Sequence, residues 1–108
     1  KGTPRIEPTG LAVAPAMEMP ESAVLDQNYP NPFNPSTTIR YTVASPAQVS
    51  LTVFTVLGQE VATLHDGWRE AGVYEATFTA QHTLGSGVLF YRLNVNGALL
   101  VRAAVLMR

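Results

Sequence analysis

The chain reads as all-β: an immunoglobulin-like antiparallel β-sandwich of about seven strands, preceded by a Pro-rich linker. Three observations lead there. Apolar residues recur with period two in several short runs, the pattern of half-buried strands. Clusters of Gly, Asn, Ser and Pro separate those runs at intervals of roughly 8–12 residues. No segment as long as about ten residues carries a helical period.

Residues 1–23 hold Pro4, Pro8, Pro15 and Pro20 among small and polar residues, which predicts a semi-rigid tether. Within it only Leu11-Ala12-Val13-Ala14 is suited to pairing, as a short edge strand. The globular domain is expected over residues 24–108. It opens on Gln27-Asn28-Tyr29-Pro30-Asn31-Pro32-Phe33-Asn34-Pro35-Ser36. Proline fixes φ, donates no hydrogen bond and pushes the residue before it out of the α region. The run is therefore neither helix nor central strand but a stiff, extended lead-in, with Tyr29 and Phe33 placed as lids on the core.

Beyond it, Ile39, Tyr41 and Val43 share one face of a strand, and Ser45-Pro46-Ala47 turns the chain. Val49, Leu51 and Val53 alternate next, and the slip at Phe54 and Val56 predicts a bulge. Leu57-Gly58 is expected to be a two-residue hairpin turn into Gln59–Leu64. His65 to Gly72 reads as a Gly-bounded loop. Strands follow at Val73–Ala80 and Val88–Val95, around a loop at 81–87. Asn96-Gly97 is the strongest hairpin signal, since both central residues of a type I′ turn need positive φ. The final strand is expected over Ala98–Met107, with Arg102 and Arg108 on one face.

Composition narrows function. Formal net charge is -1 and charged residues make up 14% of the chain, with no basic run. That leaves no electrostatic footprint for nucleic acid or an anionic membrane. No apolar stretch approaches the ~20 residues of a membrane-spanning helix. Cysteine is absent, which removes disulfides and thiolate zinc sites. Lys1 is followed by no apolar leader, so the chain reads as a piece of a larger protein.

Catalytic chemistry is not signalled, and neither a cofactor nor a metal is expected. His65 and His82 are the only imidazoles, and His65 beside Asp66 is half a triad on paper only. Neighbours on a strand point to opposite faces. No Gly-x-Ser-x-Gly elbow occurs, and His65, Asp66 and His82 lack metal-ligand spacing. Trp68 is the one candidate platform for a ligand, because an exposed indole stacks on a sugar ring. The competing reading has Trp68 capping one end of the core.

Three blocks carry a family resemblance. They are Leu25 with Gln27–Ile39, Val53–Leu64 and Leu84–Leu93, followed by a terminal strand. Together they resemble the C-terminal sorting domain of proteins exported through the type IX secretion system of Bacteroidota and relatives. The motif positions are Asn28, Tyr29, Pro30, Asn31, Pro32, Phe33, Asn34 and Pro35, then Gly58 and Gly87. The resemblance implies an address without enzymatic activity, fused after a cargo domain. It implies recognition by the outer-membrane translocon, and cleavage before Leu25 by a sortase-like peptidase. The protein would pass through the periplasm to the cell surface or medium, without membrane insertion. Thr55, Phe78 and Ala103-Ala104 depart from the acidic residue, the Trp and the lysines common in that family. Arg102, Val105 and Arg108 are the expected recognition residues. The alternative function is an accessory, carbohydrate-binding module of a surface hydrolase, acting through Trp68.

Overall fold

The computed structural model describes residues 23–108, so the tether and the expected Leu11–Ala14 strand lie outside the described residues. Seven strands are present among them: β1 (Ala23–Leu25), β2 (Ser36–Val43), β3 (Ala47–Thr55), β4 (Glu60–Arg69), β5 (Gly72–Thr79), β6 (Gly87–Val95) and β7 (Ala98–Leu106). They form two antiparallel sheets, ordered β1-β2-β5 and β4-β3-β6-β7. The chain is thus all-β, and the two sheets make an immunoglobulin-like sandwich.

The period-two alternation decides what faces inward. Ile39, Tyr41 and Val43 of β2 meet Val49, Leu51 and Val53 of β3 and Leu89, Tyr91, Leu93 and Val95 of β6 in one buried cluster. From β5, Phe78 is buried and Tyr74 and Ala76 lie half-buried against the same cluster. Leu100, Ala104 and Leu106 close the core from β7. Burying such side chains contributes roughly 1.5–3 kcal/mol each, which is what a chain without disulfides relies on.

The sequence slip around Phe54 is a real irregularity, with register shifts between β3 and β4 at Leu51/Thr52 and at Val53/Phe54. Several expectations need correction. Ala23, assigned to the tether, is the buried first residue of β1. The β3–β4 connection is a longer loop than Leu57-Gly58. The Gly58 amide donates to Thr55 O and the Thr55 amide to Gln59 O, while Gly58 takes φ +86°. This is a three-residue hairpin loop, Val56-Leu57-Gly58, whose last residue is left-handed, the next most common hairpin form after two-residue turns. His65 to Arg69 is strand, not loop. Gly67 stands opposite Val49 in the ladder, and tertiary pairing with β3 overrides the local glycine signal.

Asn96 and Gly97 take φ +50° and +93°, as a type I′ turn requires. An added Cβ at Gly97 meets nothing within 4 Å. Replacing Gly97 by Ala therefore costs conformational energy alone. Urea denaturation of Gly97→Ala should show a loss of about 1–2 kcal/mol at unchanged m-value; an unchanged midpoint would remove the turn's claim to set the β6–β7 register.

Candidate functional site

The Pro-Asn lead-in joins two neighbouring strands of the three-stranded sheet and on the way lies against the last strand of the other. It leaves β1, bends at residues 30–32 and again at 34–35, and feeds β2. Its three X-Pro bonds, after Tyr29, Asn31 and Asn34, are cis. The segment is bent, not extended as the sequence suggested.

Asn28 is its anchor, 2% exposed, with its side-chain amide and its backbone N–H hydrogen-bonded. The Asn28 side chain donates to Pro30 O at 3.1 Å and Thr37 Oγ1 at 3.0 Å, and Thr37 Oγ1 donates to Pro30 O at 2.8 Å. Gln27 Nε2 donates to Asn28 Oδ1 and to Ala103 O of β7, both at 2.7 Å. The Asn28 amide donates to the Tyr91 hydroxyl at 2.8 Å, which donates onward to Asp26 O at 2.7 Å. Burial raises the Tyr91 pKa, against the Asn28 hydrogen bond and the Arg102 charge, which lower it. The Tyr91 ring is in the core, and its hydroxyl fastens the lead-in.

Phe33 is the lid the sequence predicted, 2% exposed and edge-on to Phe78 with ring centroids 6.0 Å apart. Tyr29 is not a lid. It is 81% exposed, and only its backbone is held, paired both ways with Thr38. Phe33 also bridges Leu106 in parallel. The Phe33 amide donates to Val105 O at 2.9 Å and the Met107 amide to Phe33 O at 3.0 Å. The Val105 amide donates to Asn31 Oδ1 at 2.9 Å.

β7 is the edge strand of its sheet, and these contacts show which of its groups face outward. Val105 spends both N–H and C=O on the lead-in. Backbone direction alternates along a strand, and the β6–β7 register is unbroken. Ala103, Val101 and Leu99 therefore also face outward. The lead-in closes the edge from Ala103 onward. Among the described residues no strand pairs with the edge at Leu99 and Val101, which are 54% and 56% exposed.

Of the recognition residues expected from the sequence, Arg102 and Val105 fall on this strand and Arg108 just past its end, and both arginine side chains are hydrogen-bonded within the domain. Arg102 Nε donates to Leu25 O at 2.6 Å, tying β7 to β1. Arg108 is bound to the carbonyls of the loop before β6: Nε to Leu84 O at 2.8 Å, and a terminal nitrogen to Ala80 O and Gln81 O. Both residues keep exposed surface, while Val105 is half-buried. Pro35, Thr79, His82 and Arg108 border a groove of about 420 Å³. Of the motif positions, Pro30 and Pro35 act through carbonyls, Pro35 O accepting from the Ala80 amide at 2.8 Å. Pro32 and Asn34 are exposed. Gly58 and Gly87 lie outside the lead-in, at the β3–β4 loop and the start of β6.

Trp68 does not cap the core. It is 60% exposed on the outer face of β4. His65 and Asp66 diverge as strand neighbours must, His65 half-buried near Gly67 O and Asp66 exposed. Among the described residues no group of three or more potential metal ligands gathers, and no helix is long and apolar enough to cross a membrane. No protein-family model matches the chain, and no curated protein or solved structure is similar to it.

Two outcomes follow for the lead-in. Phe33→Ala should cost about 3–5 kcal/mol in urea unfolding, whereas Tyr29→Ala should stay within about 0.5 kcal/mol; equal losses would refute the assigned roles. Because the folded state holds the Tyr91 proton more tightly than its ordinary pKa of 10.0, the unfolded chain binds fewer protons above that pH. Stability then falls as pH rises through the folded-state value. The Tyr91→Phe variant should lose less stability than the parent between about pH 9 and pH 11, compared by unfolding midpoints.

Proposed function

We propose that this domain is a secretion address of the type IX sorting kind, a binding module with no chemistry of its own. It directs an N-terminally fused cargo to the outer-membrane translocon. A sortase-like peptidase then cuts in the tether before Leu25, leaving the cargo at the cell surface or in the medium. The observation that supports this best is the union of the Asn28–Pro35 motif with the terminal strand. The two most distinctive parts of the sequence meet at one sheet edge, through Phe33, Asn31 and Gln27 on β7.

The open edge at Leu99–Val101 gives the address a physical means of being read. A partner strand adds to unpaired backbone groups there. The lead-in closes the rest of the edge, so pairing is limited to one short, fixed register. Arg102 and Arg108 act mainly from within. They hold β7 against β1 and against the loop before β6, so the strand is presented rigidly. Pre-ordering of this kind lowers the entropic cost of strand addition.

The edge is tested by Val101→Pro. The outward amide of Val101 takes no part in the β6–β7 ladder, so proline removes a docking donor at an edge position that tolerates it. Residues 21–108 would be fused to a fluorescent protein carrying a periplasmic signal, in a Bacteroidota host with and without an intact translocon. The parent fusion should reach the surface or medium only with the translocon, and the Val101→Pro fusion should stay in the periplasm while remaining folded. Periplasmic retention of the parent in both hosts refutes the address. Normal export of the variant refutes the edge as its reader.

A further inference from the structure

On the outer face of the four-stranded sheet, where β3 and β4 meet the β6–β7 turn, a groove of about 270 Å³ is lined by Gln48, Ser50, Asp66, Asn94, Asn96 and Gly97. Trp68 stands beside it. Trp68 is the ladder partner of Gln48 and Asp66 that of Ser50, and the two-residue period puts Asp66 and Trp68 on the same face of β4. The indole Nε1 donates to Glu70 Oε2 at 2.9 Å, which fixes the ring on the sheet while leaving Trp68 60% exposed.

The amides in the groove are oriented by the backbone. Asn94 Oδ1 accepts from the Gly97 amide at 2.8 Å, and Asn96 Oδ1 accepts from the Gln48 amide at 3.0 Å. With each oxygen committed, each NH₂ is set in position as a donor. Asp66 adds carboxylate acceptors, and Gln48 and Ser50 add an amide and a hydroxyl. A flat apolar ring beside fixed donors and acceptors matches a sugar. Its C–H face stacks on the indole, and neighbouring hydroxyls, each donor and acceptor at once, bridge carboxylate and amide.

Charge sets the class of sugar. Asp66 lies in the groove and Glu70 on the indole edge. The cation on this sheet face, Arg92, is held over the Phe54 ring, 4.7 Å from its centroid. An acidic sugar would meet two carboxylates. We propose that this groove binds a neutral pyranose chain, with Trp68 as the stacking platform and Asp66, Asn94 and Asn96 reading its hydroxyls. The groove is small against the ~300–1,000 Å³ of ordinary ligand sites, so it holds one or two sugar units. Affinity is then on the order of 1 mM, suited to many weak contacts along a polymer.

Trp68 is the sole tryptophan of the chain, so its fluorescence reports the site alone. Cellohexaose, laminarihexaose and mannohexaose would each be titrated to about 20 mM, with oligogalacturonate as the acidic comparison. At least one neutral oligosaccharide should give a saturable change. Asp66→Ala should weaken it by about tenfold or more, and the side-chain amides of Asn94 and Asn96 should shift in NMR spectra of the same titration. Trp68→Phe, followed by those amides, should retain weaker binding. Three results each overturn the proposal: no saturation with any neutral oligosaccharide, unchanged affinity in Asp66→Ala, or preference for oligogalacturonate. None of them touches the export reading, because neither Asp66 nor Trp68 lies on β7.

Discussion

The buried amide of Asn28 is the constraint on which the arrangement depends. A polar side chain 2% exposed is tolerable only with its hydrogen bonds made, and an unpaired one costs about 1–3 kcal/mol. Its partners come from β2, through Thr37, from the Pro30 carbonyl and from the lead-in's own Gln27, while its backbone amide is held by Tyr91 of β6. Satisfying them requires both sheets to be assembled and the lead-in to be folded over their edge. Phe33 then has one place to go, beneath the lead-in against Phe78 and beside Leu106. Polar satisfaction fixes the path of the chain, and apolar burial supplies the free energy that holds it there.

That geometry manages a hazard. A terminal edge strand built from Leu99, Leu100, Val101, Ala103, Ala104 and Val105 invites pairing with other chains, and proteins commonly blunt such edges. Here the protection is partial and local. The lead-in takes outward groups of Ala103 and Val105, and among the described residues Leu99 and Val101 stay unpaired on that side. The two arginines that sequence reasoning assigned to a partner serve the strand itself, through backbone carbonyls at Leu25 and Leu84. A guanidinium with several donors suits this use, because one group satisfies neighbouring carbonyls.

Most of the fold was legible because its core strands follow the period-two rule at Ile39–Val43, Val49–Val53 and Leu89–Val95, broken only at buried Thr52 beside the register shift. The Asn96-Gly97 turn was legible because its backbone conformation is almost restricted to such residues. The failures have a common physical source. His65–Arg69 carries a glycine and polar residues, so only the partner strand β3, distant in local sequence terms, shows that it is strand. The sequence placed Tyr29 as a lid and left Trp68 between ligand platform and core cap; an aromatic's burial depends on which face it falls on, and both fall outside. Trp68 alternates with half-buried Gly67 and Arg69, and Tyr29 follows the buried Asn28. The Asn28 network was invisible for another reason: its partners Thr37 and Tyr91 come together only through the tertiary fold. The polar groove beside Trp68 joins β3, β4 and the β6–β7 turn, and no local pattern predicts such a meeting.

The two surfaces make different demands, and the sheet can meet both at once. Strand addition at Leu99–Val101 uses backbone groups directed in the plane of the sheet. A sugar on Trp68 uses side chains directed out of that plane. The surfaces are coupled only where Asn94, which lines the groove, pairs with Leu99 across the β6–β7 ladder. Asn94 is itself fixed by the Gly97 amide, so the turn that sets the register of β7 also orients a groove donor. A strand added to β7 leaves that turn and the groove uncovered. The proposed strand docking on the edge and the proposed sugar contact on the face therefore use separate groups of one sheet, and neither has to be traded against the other.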